Sequence, residues 1–140
     1  MRLYQKAKRL GVWDPRDLDF AADIAAWPDL TVDERDLLLR VTALFQAGEE
    51  AVTADLLPLV DAIAAEGRLE DELFLTAWLW EEGKHTEFFR RFLDEVAGET
   101  GDLHHLHGPA YDRIFAEELP GSMNALRRDR SPAAIASATR

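Results

Sequence analysis

Glu82 and His85 stand three residues apart inside an apolar run with helical spacing, and together they could bind a metal ion. The apolar positions of this run recur every three or four residues, at Leu75, Trp78, Leu79, Phe89, Phe92 and Val96. Glu82 and His85 fall on the same stripe, where a buried helix face would carry Leu or Phe. Because an ionised carboxylate is costly to bury without a partner, the pattern predicts a cation beside them.

Glu49 is the third candidate ligand, on a long helix that precedes Gly67. Glu49 lies 18 residues before this glycine, whereas Glu82 and His85 lie 15 and 18 residues after it. If the chain turns at Gly67, the two helices form an antiparallel hairpin. At a rise of ~1.5 Å per residue, all three side chains then lie roughly 22–27 Å from the turn. The sequence therefore predicts Glu49, Glu82 and His85 as metal ligands at one level of a helical core.

Start and stop signals delimit this hairpin. Thr31 and Glu34 fit a capping box, so the first long helix should begin there. Pro58 should kink or break that helix, since proline lacks a backbone donor and clashes with the preceding turn. The second long helix should begin near Leu69 and end at Gly98, a candidate left-handed cap. Of the neighbouring carboxylates, the sequence favours outward or supporting positions for Glu50 and Glu81, the latter paired with Lys84.

We predict an all-α fold, an incomplete ferritin-like helical bundle, because such bundles hold two metals with Glu-x-x-His pairs on inward helix faces. The chain forms a single partial domain over residues 1–140. Its three parts are a lead-in over 1–30, the metal-ligand hairpin over 31–98, and short helices with a truncated third bundle helix over 99–140. In the last part, Pro120-Gly121 should interrupt the helices, and Ser131-Pro132 should begin a new one.

Charge and composition exclude several functions. The chain has 16 Lys+Arg against 27 Asp+Glu and a formal net charge of -11, which repels phosphate backbones, so no nucleic-acid partner is expected. It has no cysteine, which excludes disulfides and thiolate metal sites. No run approaches the roughly 18 apolar residues of a membrane span. The N-terminus also has no apolar stretch typical of a signal peptide, so we expect a cytoplasmic protein.

Some of these residues allow simpler interpretations. Glu82 and His85 could form a surface pair, although the apolar stripe and the facing Glu49 favour burial. The sequence His104-His105-Leu106-His107 could be a second metal cluster, but its glycine-flanked setting and irregular spacing favour a surface loop. The aromatic residues of the second long helix are expected to pack in the core: Trp78, Trp80, Phe88, Phe89 and Phe92.

The motifs together resemble one enzyme family. The segment Phe45-Gln46-Ala47-Gly48-Glu49-Glu50-Ala51-Val52 and the segment Trp80-Glu81-Glu82-Gly83-Lys84-His85-Thr86-Glu87-Phe88-Phe89 are its most specific parts. The opening Leu3-Tyr4-Gln5-Lys6-Ala7-Lys8 and the region around Asp14-Pro15 fit as well. Over nearly its whole length, the chain resembles the ligand-binding oxidases related to the ribonucleotide reductase small subunit.

The resemblance implies a cofactor and a ligand. In that family, a ferritin-like bundle holds a mixed manganese–iron centre that activates oxygen, beside a tunnel occupied by a long-chain fatty acid. Glu49, Glu82 and His85 match its first three protein ligands. Val52 matches the valine that becomes joined to a tyrosine oxygen in an ether crosslink. In ordinary small subunits a radical-bearing tyrosine usually follows the histidine by four residues, and Phe89 at that place favours the oxidase branch.

The family takes a second Glu, a second Glu-x-x-His and the crosslink tyrosine from two later helices, and this sequence contains no match for them. Three hypotheses follow. The chain could be the N-terminal half of such an oxidase, with half a metal site and doubtful activity alone. It could be a metal-binding homodimer, in which two copies complete a four-helix site. It could also be a non-catalytic helical interaction module, in which the apolar stripes only seek a partner.

Overall fold

A computed structural model describes residues 1–101 and 103–139, and the elements within these ranges are helices and turns without a strand. This confirms the all-α prediction. The predicted segment 99–140 includes positions 102 and 140, which lie outside the described residues. The α-helices are α1 (Arg2–Leu10), α2 (Ala21–Ala26), α3 (Val32–Asp55), α4 (Leu57–Ala65), α5 (Leu69–Arg91), α6 (Pro109–Asp112), α7 (Leu119–Ala125) and α8 (Pro132–Ala138).

The first long helix, α3, begins and ends as its sequence signals predict. The hydroxyl of Thr31 accepts a hydrogen bond from the Glu34 backbone N–H at 3.3 Å, and the Glu34 carboxylate accepts one from the Thr31 N–H at 2.8 Å. This is the predicted capping box. The helix ends at Asp55, and Pro58 lies in the first turn of α4, where its missing N–H costs nothing.

The second long helix, α5, runs antiparallel to α3 and packs along it. The turn between α4 and α5 contains Gly67, whose φ of 72° lies in the left-handed region that glycine adopts without steric cost. At its far end α5 continues as a π-helical turn, Phe92–Ala97, and Gly98 closes it with a second φ of 72°. Both predicted glycine positions therefore end helices, and the hairpin is confirmed.

The predicted interruption at Pro120-Gly121 is wrong. Helix α6 passes through a π-helical segment, Arg113–Glu118, directly into α7, which contains both residues. In the π-helical segment the N–H of Leu119 donates to the carbonyl of Ile114, five residues back. Pro120 follows at the point where the wider pattern returns to an α-helix. Its missing N–H therefore falls at a change of hydrogen-bond register instead of breaking the helix.

A compact apolar core lies at the turn end of the hairpin. It joins α4 and the start of α5 to α7 and α8 through Leu56, Leu59, Ile63, Leu75, Met123, Leu126 and Ala138. The hydroxyl of Ser131 accepts a hydrogen bond from the Ala134 N–H at 3.3 Å, so Ser131 caps α8 as predicted. This core clamps the hairpin at one end, which leaves the level of Glu49 and Glu82 away from it.

The lead-in is held on the outer side of α5 by two cations. Lys84 is buried and donates hydrogen bonds to the backbone carbonyls of Gly11 and Trp13, each at 3.2 Å. Arg91 donates to the carbonyls of Pro15 and Leu18. Four carbonyl groups of the irregular backbone at residues 11–18 therefore accept hydrogen bonds from side chains of α5.

The apolar stripe of α3, formed by Leu38, Val41 and Phe45, is open to solvent. Leu38 and Val41 are exposed, and Phe45 is 55% exposed. Trp78 and Trp80 on α5 are also exposed, so the prediction of core packing is wrong for these two aromatic residues. The helical spacing of the stripe places its apolar side chains on one face, which could pack against another helix. None of the described elements covers this face. No helix in the described part of the chain has the length and apolarity to cross a membrane.

Replacing Lys84 with Met tests the attachment of the lead-in. The variant leaves two backbone carbonyls and the Glu81 carboxylate without their cationic donor, so we expect the free energy of unfolding to fall by ~1–3 kcal/mol. Amide hydrogen exchange should also speed up in residues 11–18. Lys8→Met is the matched control, since Lys8 is exposed and bonds only within α1. Equal stability of both variants in urea would contradict this role of Lys84.

Candidate metal centre

Glu49, Glu82 and His85 meet at one level of the α3–α5 hairpin. One potential ligand atom from each lies within 4.8 Å of those of the other two. His85 Nδ1 is 3.5 Å from a carboxylate oxygen of Glu49 and 3.8 Å from one of Glu82. The structure thus brings together the three residues that helix rise and the Gly67 turn place at equal height.

The three side chains differ in burial. Glu82 is 7% exposed, and its carboxylate accepts a hydrogen bond from the indole N–H of Trp78. The Glu49 side chain is mostly buried, whereas that of His85 is 41% exposed. The sequence placed all three inside, and this is wrong for His85. The imidazole lies on the open side of the hairpin, where the exposed stripe of α3 also begins.

The two carboxyl groups perturb each other. Burial raises the pKa of Glu49, and the adjacent Glu82 carboxyl raises it further through a hydrogen bond and through its charge, to about 8. A proton between two carboxyl groups relieves the repulsion that two buried negative charges would create. A bound cation relieves it equally well. Near neutral pH this pair therefore holds a proton that a metal ion could displace.

Trp13 holds the imidazole from the lead-in side. Its ring stacks on the ring of His85, with centroids 5.7 Å apart and planes inclined by 26°. The indole N–H of Trp13 donates to Glu81 at 2.9 Å, and the Lys84 ammonium lies 4.9 Å from the centre of the Trp13 ring. Sequence reasoning missed Trp13 because it lies in an irregular segment without periodicity.

The predicted pairing of Glu81 with Lys84 is confirmed at 2.8 Å, with both side chains facing the lead-in. Glu50 is exposed and accepts a hydrogen bond from Gln46. Neither carboxylate reaches the group formed by Glu49, Glu82 and His85. Glu81 instead fixes Trp13, and through that ring it positions His85.

Val52 lines an open apolar groove next to Glu49. The groove encloses about 450 Å³ between α3 and the helix that begins at Pro109, and its other walls are Val41, Leu44, Phe45, Gly48, Tyr111 and Phe115. A Cβ atom on Gly48 would lie 3.4 Å from the Tyr111 hydroxyl, about van der Waals contact, so the two helices are closely packed here. Phe89 stacks on Phe45 at the edge of this region, with centroids 5.5 Å apart.

The donor set fits a divalent metal ion of intermediate hardness. Carboxylate oxygen suits manganese, and imidazole nitrogen suits iron and zinc, so two carboxylates with one imidazole match a manganese or iron site. Burial, and then the adjacent Glu82 carboxyl, raises the pKa of Glu49, so its ionised form gains from a bound cation. These three residues offer fewer donors than two metal ions require.

The histidine cluster is only partly a surface loop. His104 and His105 are exposed as the sequence favours, but the side chain of His107 is 3% exposed and packs beneath α3. Its ring lies 4.7 Å from that of Tyr111, centre to centre. The prediction of a surface loop is therefore wrong for His107, because Tyr111 and α3 cover its ring.

The stability of the metal-free chain should depend on pH through Glu49. Its pKa is about 8 in the folded state against a usual value of 4.5, so between these values the folded chain holds a proton that the unfolded chain has released. Stability from this group is full below pH 4.5 and falls as pH rises towards 8. Urea unfolding with a chelator at pH 5 and pH 8 measures this loss.

Glu49→Gln should reduce that pH dependence, because the amide does not titrate. Glu50→Gln, on the exposed neighbour, should keep the wild-type dependence. If Glu49→Gln and wild type lose the same stability between pH 5 and pH 8, Glu49 does not hold the extra proton.

Several solved structures are similar to this chain. A Tyr-to-Phe variant of an R2-like ligand-binding oxidase with aerobically reconstituted Mn/Fe cofactor matches with a TM-score of 0.91 and 48% identity, over 95% of this chain and 49% of that one. A Gly-to-Phe variant matches with a TM-score of 0.93 and 47% identity, over 98% of this chain and 50% of that one. A Val-to-Leu variant with anaerobically reconstituted Mn/Fe cofactor matches with a TM-score of 0.91 and 47% identity, over 95% of this chain and 49% of that one. No family profile matches the sequence. The chain spans about half the length of these structures.

Proposed function

The chain belongs to the R2-like ligand-binding oxidases, and on this premise we propose that it supplies one half of a dinuclear manganese–iron site that activates oxygen. Glu49, Glu82 and His85 are the proposed ligands. The single observation that supports this most is the meeting of two carboxylates and one imidazole within 4.8 Å at one level of the hairpin. In this proposal residues 1–140 form a partial ferritin-like domain, with the ligands on its hairpin, 31–98.

The residues of the chain have distinct tasks in this proposal. Bound manganese and iron supply oxygen activation and the oxidation of a C–H bond. Glu49 releases its proton when the site is loaded and then binds as a carboxylate. Glu82 is oriented by the Trp78 indole, and His85 is held by the stacked Trp13 ring. Such supporting contacts fix ligand orientation and tune affinity.

The apolar groove beside Val52 is the proposed place for a long-chain fatty acid. Its walls are aliphatic and aromatic side chains apart from Glu49 and the Tyr111 hydroxyl, and that hydroxyl donates to the Leu44 carbonyl at 2.6 Å. A hydrocarbon tail in this groove would run next to the metal ligands. Val52, the proposed crosslink partner, lies in the same wall as Glu49.

The chain carries half of the ligands that the family uses, so another element must supply the other half. The exposed stripe of Leu38, Val41 and Phe45 adjoins the open side of His85, so a helix that covered it could also bring further ligands. A second copy of this chain would bring one Glu and one Glu-x-x-His, which completes the set. A homodimer is therefore our second candidate. The meeting of Glu49, Glu82 and His85 beside this stripe favours it over a non-catalytic helical interaction module, which needs the stripe alone.

A cytoplasmic location and the absence of a nucleic-acid partner complete the proposal. The formal net charge of -11 supports the second point, because an acidic surface repels phosphate backbones. Activity of this chain alone is not expected, since three protein ligands leave two metal ions short of donors. With a second copy or another helical partner, the same residues would contribute their half.

Glu82→Leu tests the ligand role. After loading with manganese and iron followed by gel filtration, the variant should retain much less metal per chain than wild type, as measured by elemental analysis. Glu87→Leu on the same helix is the control, since Glu87 pairs only with exposed Arg16. If Glu82→Leu retains as much metal as wild type and is more stable, the chain is an interaction module with an ordinary buried carboxylate.

The homodimer makes a separate prediction about mass. Adding manganese and iron should shift the chain from monomer to dimer in light scattering, because the metals link ligands from two copies. In Glu82→Leu the shift should be absent, whereas Glu87→Leu should retain it. A mass that stays monomeric at saturating metal would exclude the homodimer and leave a different partner as the source of the missing ligands.

A further inference from the structure

His107 is a buried histidine with one ring nitrogen that has no partner. Its Nε2 lies 3.3 Å from the Ala43 carbonyl, which can only accept, so Nε2 carries the hydrogen and donates it. In the neutral ring, Nδ1 then holds a lone pair. Among the described residues, no group donates a hydrogen bond to this buried Nδ1. Nδ1 of His107 is therefore a buried nitrogen that could bind a metal ion and has no hydrogen-bond partner among the described residues.

The group nearest to this nitrogen is also an electron donor. An oxygen of Asp112 lies 3.8 Å from His107 Nδ1. A ring nitrogen of His104 belongs to the same cluster, in which the three ligand atoms lie within 4.8 Å of one another. A lone pair and a carboxylate that face each other repel unless a positive charge lies between them.

A second buried acceptor belongs to a residue that lines a cavity next to His107. A cavity of about 130 Å³ between α3 and the His104–Leu106 turn is lined by His104, His107, Gln46 and Glu50, among others. The side-chain oxygen of Gln46 is buried and has no donor among the described residues. Two residues with unpartnered acceptors, His107 and Gln46, therefore line one cavity together with the Glu50 carboxylate. Arg90 also lines it, but its guanidinium pairs with Asp94 at 2.8 Å, and neither acceptor has a donor among the described residues.

The backbone holds these residues in place. Residues His104–Leu106 form a 3₁₀ turn, in which side chains three positions apart lie on the same side, so His104 and His107 are brought together. Pro109 then begins the helix that carries Asp112, and the Tyr111 hydroxyl anchors this helix to the Leu44 carbonyl at 2.6 Å. Ligands from a turn and from an anchored helix are pre-positioned, which lowers the cost of binding.

We propose that His104, His107 and Asp112 form a second metal site, separate from the Glu49 group, for a divalent transition ion of the zinc type. Two imidazoles and one carboxylate are a common three-residue set for zinc, with a fourth position open to water or another ligand. Gln46 lines the adjacent cavity, and its unpartnered oxygen can accept a hydrogen bond from a bound water. The ligand atoms must move closer by a fraction of their spacing, and His104 lies on an exposed turn.

The site does not depend on the dinuclear centre. Its three residues come from the segment after α5 and share none with Glu49, Glu82 and His85. Structural zinc at this position would tie the segment of residues 103–112 to α3 through His107. It would thereby brace Tyr111 and Phe115, which form one wall of the apolar groove.

The test uses zinc alone and the full chain with the first site disabled. In a His85→Ala background, calorimetric titration should detect one zinc ion per chain. Adding His104→Ala or Asp112→Asn should weaken that binding by ~10-fold or more, since even the hydrogen-bond partners of metal ligands contribute that much. His104 is exposed, so its removal should leave circular dichroism unchanged. X-ray absorption of the zinc-loaded His85→Ala chain should report two imidazole ligands.

His105→Ala is the matched control, because His105 is an exposed neighbour on the same turn and lies outside the cluster. It should bind zinc as the background does. Absence of zinc binding in His85→Ala would overturn the proposal. Equal losses of zinc affinity in His104→Ala and His105→Ala would also overturn it.

The His104→Ala variant with intact His85 should retain as much manganese and iron as wild type. A failure of the zinc-site proposal can therefore be distinguished from a failure of the proposed dinuclear centre.

Discussion

The repulsion between two carboxyl groups inside a helical hairpin is the constraint on which the rest of this structure depends. Glu49 and Glu82 lie on facing helices, and burial together with this proximity raises the pKa of Glu49 to about 8. A sequence under selection for stability alone would place Leu at such positions. The hairpin instead keeps the acids, shields Glu82 with Trp78, and places His85 next to them. Each of these features supports the proposal that a cation binds between these side chains.

Outside the hairpin, the lead-in has a structural reason to be ordered. Its backbone carbonyls are bound by Lys84 and Arg91, two cations of the same helix that carries Glu82 and His85. Trp13 is thereby held against the His85 ring. An irregular segment with little apolar burial is thus coupled to the geometry of the candidate metal centre, so disturbing the lead-in should also disturb ligand orientation.

Opposite the lead-in, the hairpin presents an open apolar face. Phe45 and its neighbours on α3 are exposed beside a half-exposed His85, and the groove next to Val52 opens on the same side. Apolar periodicity, incomplete ligation and an open groove coincide on one surface. This coincidence is the physical basis for expecting a further helical layer, whether from a second copy or from another polypeptide segment.

Local signals in the sequence were sufficient for the helices and their ends. The capping box at Thr31, the left-handed glycines at 67 and 98, and the cap at Ser131 depend on contacts within four or five residues, so they can be read directly. The common height of Glu49, Glu82 and His85 also follows from helix rise and one turn. Pro120 was misread because a π-helical segment shifts the hydrogen-bond register before it, which residue types do not reveal.

The sequence by itself determined which residues could bind metal and which helices carry them, because both properties follow from residue type and period. Only the tertiary structure decided how buried each ligand is, since burial depends on what lies across from a helix face. It also decided that Trp13 stacks on His85 and that His107 turns a free nitrogen towards Asp112. These contacts join segments far apart in the chain or depend on turn geometry, and no local pattern encodes them.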